Sequence, residues 1–99
     1  MKPIFAFLLM GAQYDPETHQ AHFETEPKHT YIYTVQNWEQ AKARVDDLAA
    51  RGCGAIELCG AFGPEKAQEL IDRTGGSIAI GYVTHFPAQD SLFTAFFGR

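Results

Sequence analysis

Apolar residues fill every position from Ile4 to Met10 and stop at Gly11, the pattern of a central strand covered on both faces. Thr30 to Val35 alternates more and is rich in β-branched and aromatic residues, which predicts a strand nearer a sheet edge. Between them the polar stretch from Gln13 to His29 is long for a bare loop. Asp15-Pro16-Glu17 offers a cap, a proline at the first helical position and an acid in the first turn, so a short helix is expected to start there. Phe23, Thr25 and Pro27 add no sustained period.

A longer helix is predicted from Trp38 to about Arg51, with Asn37 as cap and Gln40 three residues on. Trp38, Ala41, Val45, Leu48 and Ala49 share one stripe, and Gly52 stands where a left-handed residue ends helices. Ala55 to Cys59 reads as a short strand. Gly63-Pro64-Glu65 opens a second helix to about Thr74, with Ala67, Leu70 and Ile71 inward and Gly75-Gly76 after it. Ser77 to Val83 is the last strand. Two linked βαβ units from Thr30 to Val83 imply right-handed crossovers and parallel pairing.

The expected fold is therefore α/β: a small, mainly parallel, four-stranded sheet with helices packed on it, in the order ββαβαβ or βαβαβαβ. Residues 1–99 form one domain, with 85–99 a C-terminal tail. Leu92, Phe93, Phe96 and Phe97 in that tail fit one face of a final helical turn or two. Their aromatic surface requires cover, from the domain's own sheet or from a second copy, so a homodimer is expected.

Composition narrows the function classes more than it selects one. The chain has 99 residues, 45% apolar and 20% charged, as a folded domain should. A net charge of −4 with eight scattered Lys and Arg speaks against nucleic-acid binding, which needs a basic stripe. The longest apolar run is about ten residues, half of what a membrane span requires, and it lacks a cleavage signature. A cytoplasmic protein without a membrane partner or a cofactor is expected. Cys53 and Cys59 flank an extended segment, which holds their Cα atoms roughly 20 Å apart, too far for a disulfide.

In open parallel sheets ligands collect beyond the carboxyl ends of the strands, which selects the loops after Met10, Val35, Cys59 and Val83. The turn Cys59-Gly60-Ala61-Phe62-Gly63-Pro64 is the richest of these: two glycines permit a tight turn with amides at the positive end of a helix. Gly11, Cys59, Gly60, Phe62 and Gly63 are the candidate ligand contacts, for a small polar or anionic molecule. Against this, Pro64 removes a donor, Glu65 adds negative charge, and the spacing matches no phosphate-binding fingerprint, so a plain βα turn is the competing reading.

Glu57 stands between Ile56 and Leu58, where burial would raise its pKa and suit it to acid-base work; a salt bridge to Arg44 or Lys42 is the structural alternative. Cys59 lies where a thiolate would be favoured, or is a small core residue. His19 joins these two as a candidate catalytic group. His19 and His22 would share a helical face and, with Glu24 or His85, compose a weak candidate metal set, against surface histidines in a polar loop.

The run Ala55-Ile56-Glu57-Leu58-Cys59-Gly60-Ala61-Phe62-Gly63-Pro64, after a capped helix and an apolar first strand, resembles an uncharacterised bacterial family of about this length. Its strand has the form AIELCG followed by xFGP or xFGH, and Asp15-Pro16-Glu17-Thr18-His19 is similar to its DPExH stretch. The similarity reaches about Val83, after which Thr84-His85-Phe86-Pro87 departs from it. The resemblance implies the α/β fold and draws attention to His19, Glu57, Cys59 and Gly60; as a domain of unknown function it implies no activity. Two readings follow: a ligand-binding protein, with Glu57 or His19 as a general base in its enzymatic version, or an interaction module working through Leu92 to Phe97.

Overall fold

The structure, a computed structural model, describes residues 2–98. Its middle strand is β1 (Ile4–Met10), flanked by β3 (His29–Val35) and β4 (Ala55–Leu58), with β2 (Ala21–Glu24) and β5 (Ala79–Tyr82) at the edges. The order β2-β3-β1-β4-β5 is parallel except for β2, which runs antiparallel to β3. Helices α1 (Trp38–Ala50) and α2 (Gly63–Arg73) join β3 to β4 and β4 to β5. The mainly parallel α/β sheet is thus as expected, with one strand more than the four predicted.

The additional strand comes from the polar segment, and the helix expected at Asp15 does not form. The Asp15 carboxylate accepts from Glu17 N and Thr18 Oγ1 at 3.1 and 2.9 Å, closing a turn of the kind that competes with helix. No apolar stripe follows that would repay helix nucleation. β2 then pairs Ala21 with Ile32 and Phe23 with Thr30.

Both crossovers step the same way across the sheet, so right-handedness puts both helices on one side. Ala6, Leu8, Tyr33, Val35, Ile56 and Leu58 point to that side and form a single core with Ala41, Val45 and Leu48 of α1 and Ala67 and Leu70 of α2. Asn37 caps α1 by accepting from Gln40 N at 2.9 Å, and Gly52, at φ +81°, lets the chain turn back after it. Arg73 of α2 grips Asp46 of α1 with two bonds of 2.9 Å, which holds the Asp46 carboxyl below its ordinary pKa. Beside α1, the Arg51 guanidinium donates to the Tyr33 hydroxyl at 3.0 Å and lies over Tyr31.

The opposite face carries no helix. Phe5, Phe7, Leu9 and Ile32 point there, half-buried and outside the core. This corrects the expectation that β1 is covered on both faces: its apolar run marks two apolar sheet surfaces, but the fold supplies one layer of helices. A parallel β1–β3 pair ordinarily implies a crossover helix; here the route passes through the turn at 11–20 and the β2 hairpin strand, which lie level with the sheet.

After β5 a one-turn 3₁₀ helix (Pro87–Gln89) leads into α3 (Asp90–Phe97). α3 contributes nothing to the core, and Phe86, Leu92 and Phe96 are 80%, 63% and 83% exposed. The arm stretches the molecule to 43 Å in its longest dimension, and its radius of gyration of 14.0 Å exceeds the roughly 13 Å of a compact chain of this length. No helix among the described residues is long and apolar enough to cross a membrane.

Candidate functional site

The carboxyl ends of the parallel strands do converge. Cys59 N donates to Leu8 O at 3.0 Å, Met10 N donates to Cys59 Sγ at 3.4 Å, and Gly11 N donates to Val35 O at 2.9 Å. Gly11, Cys59 and Gly60 therefore share one rim, beside the point where the strand order changes direction. Both cysteines are free thiols, as their separation along the β4 segment requires.

The rim is not lined as the sequence suggests. Phe62 is 4% exposed and packs edge-on against Trp38, with ring centroids 6.3 Å apart; it belongs to the core under the turn. Gly63 is the first residue of α2, with φ +74°. The carboxamide of Gln13 folds over Gly11 and occupies the space a Cβ would need. Two surface cavities flank the turn at 13–20, and neither is lined by Gly60 or Gly63.

The larger cavity, about 480 Å³, lies between the turn at 15–17 and α1. Asp15, Glu17 and Asp47 line it with Arg44, which already pairs with Asp47 at 3.2 Å. Three carboxylates against one committed guanidinium do not suit an anion. The second cavity, about 390 Å³, opens on the helix-free face at the ends of β1 and β3. Its floor is Leu9, Ala21 and Ile32; its wall is Gln13, Tyr14, His19 and Gln20.

His19 is anchored on three sides. Its Nδ1 accepts from Asp15 N at 2.9 Å, its carbonyl accepts from Thr34 Oγ1 at 2.8 Å, and its ring stands edge-on to Tyr14 at 6.1 Å. With Nδ1 engaged as acceptor, the neutral ring carries its proton on Nε2. Asp15, at the base of this turn, is held below its ordinary pKa by its bonds to Thr18 and Glu17. A recess with an apolar floor and a few fixed polar groups suits a small ligand with one hydrogen-bonding end.

Glu57 lies on the same helix-free face, level with Phe7 and Gly81. Its carboxylate rests over Gly81, where no side chain stands in the way. The suggested partners are occupied elsewhere, Arg44 with Asp47 and Lys42 with Glu39, and Glu57 makes no ion pair among the described residues.

The metal set does not assemble. His22 stacks on Tyr31 at 4.3 Å and bonds to His29 at 2.9 Å; Glu24 pairs with Lys2 at 2.8 Å; His85 bonds to Asp90 at 2.7 Å. No group of three or more His, Cys, Asp or Glu among the described residues is arranged to hold a metal ion.

Sequence reasoning missed Gln13, Tyr14 and Gln20. The available signal for Gln13 and Tyr14 was their position just past the end of a central strand, where the chain must turn across the sheet end. A family model described as "Family of unknown function (DUF6506)" matches residues 4–98. The match runs through the tail, past Val83, and the chain belongs to this family. No curated protein matches it.

Proposed function

We propose, starting from membership in a family with no assigned activity, that this chain is a small-ligand-binding protein whose site is the recess walled by Tyr14 and His19. The observation that carries this reading is the 390 Å³ cavity itself, apolar below and polar at one wall, at the carboxyl ends of β1 and β3. The ligand class it suits is a small carboxylate or phosphate with an apolar body: the body over Leu9 and Ile32, the anion toward the Nε2–H of His19 and the Gln13 and Gln20 carboxamides. Gly11, Cys59 and Gly60 form the adjoining rim. In the enzymatic version His19 is the general acid-base group, with the Glu57 carboxylate on the same face.

The protein on this reading is cytoplasmic and homodimeric. Two free thiols suit a reducing compartment. A second reading, an interaction module, draws on the exposure of the α3 arm.

Thermal-shift titration with acetate, benzoate, inorganic phosphate and AMP tests the ligand reading. A ligand that binds only the folded chain raises Tm by mass action, and His19→Ala or Gln13→Ala should erase the shift. Flat curves for all four probes, or shifts that survive both substitutions, would refute it.

A further inference from the structure

The same chain leaves two apolar surfaces without cover. One is the helix-free sheet face beside the recess, where Phe5 and Phe7 stand in line on β1 and Phe23, 54% exposed, lies toward the β2 edge. The other is the arm, where Leu92 and Phe96, one helical turn apart, face solvent with Phe86 at their base. We propose that two copies of this chain exchange arms, α3 of each lying across the helix-free sheet face of the other. This rests on the homodimer reading above and specifies which surfaces make the dimer.

The dimensions agree. Eight residues of helix are about 12 Å long, and Phe23 on β2 stands two strand spacings, about 10 Å, from the Phe5 and Phe7 pair on β1. The exposed fractions of Phe86, Leu92 and Phe96 leave on the order of 400 Å² of side chain uncovered on each arm. Two arms and the two faces receiving them remove roughly 1,600 Å² from water, the size of a standard specific interface. Between Phe86 and Gly98 the only charged side chain is Asp90, already bonded to His85, so little charge must be stripped of water for the arm to dock.

The arm is braced within itself, as a preformed unit. His85 stacks flat on Phe93 at 3.9 Å and bonds to Asp90 at 2.7 Å, while Gln89 N donates to Phe86 O at 2.8 Å. Pro87 keeps Phe86 extended, at φ −65° and ψ 139°. This brace lies wholly within residues 85–93, so docking on a second copy leaves it intact. A reciprocal arrangement is also closed, so it stops at two chains.

The exchange is tested by light scattering and complementation. The wild-type particle should have twice the 11.0 kDa chain mass. Leu92→Glu/Phe96→Glu, which breaks the arm, and Phe7→Lys, which breaks the face, should each give monomers that remain folded by circular dichroism. Mixed together they should regain a dimer, because the intact arm of one fits the intact face of the other. In case Phe7→Lys does not fold, chymotryptic cleavage of the wild-type arm is a second readout, and it should accelerate on dilution. A monomeric wild type would overturn both the exchange and the homodimer reading. A dimer that survives the arm substitutions, or monomers that fail to complement, would overturn the exchange alone. Binding of the small probes at His19 is read separately.

Discussion

The two faces of the sheet carry similar side chains and meet different fates. Leu8 and Phe7 are neighbours on β1, yet Leu8 is fully buried beneath the helices while Phe7 looks out from a face with no layer above it. Ile56 and Glu57 repeat the contrast on β4. Hydrophobicity along a strand therefore reports which surfaces need cover and does not say which element provides it. One face is closed by the chain's own crossovers. The other leaves apolar side chains half in water, a cost that a monomer of this size can ill sustain.

The contrast can be broken most severely at Leu8. Leu8→Ala empties a packed position and should cost about 2–5 kcal/mol in urea unfolding, at any protein concentration. Phe7→Ala sharpens the comparison: its cost should grow with protein concentration if a second copy covers that face, since binding stabilises by mass action. Equal costs at two concentrations roughly a hundredfold apart would mean the face stays open. Asn37→Ala touches only the covered side, removing the α1 cap, and should lower stability by about 1 kcal/mol. The smallest effect is expected for Asp46→Asn, on the exposed surface between the two helices. Arg73 depresses the Asp46 pKa, so its contribution is present at neutral pH and lost as pH falls through the depressed value. The Tm difference from wild type should thus close below the ordinary aspartate range of about 3.9, and it should shrink in high salt.

Much of this architecture was legible along the chain. The apolar run to Gly11, the capped helix at Asn37 and the glycine-flanked second helix each carry local signals that agree with their tertiary setting. β2 was not legible, because four residues with His22 and Phe23 among them acquire their strand character only from the register with β3. The direction of α3 was equally hidden: Leu92 and Phe96 show an apolar stripe but not what it faces. At the site, Gly11 and Cys59 were placed on a common rim by strand order alone. The burial of Phe62 was not legible, because an aromatic in a glycine-rich turn does not disclose that it packs on the Trp38 ring. Tyr14 and Gln13 carried no motif, and their place at the recess depends on a loop path that local spacing does not encode.

The two thiols are unequal in a way an experimentalist can use. Cys53 is 5% exposed, its Sγ is 3.4 Å from Ile4 O, and burial pushes its pKa up, so near neutral pH it stays protonated and sluggish toward maleimides. Cys59, half-buried at the meeting of β1 and β4, is then the natural point for attaching a fluorophore. A single dye would sit next to Gly11 without any engineered cysteine, and its emission would report from inside the molecule whether anything enters the neighbouring recess.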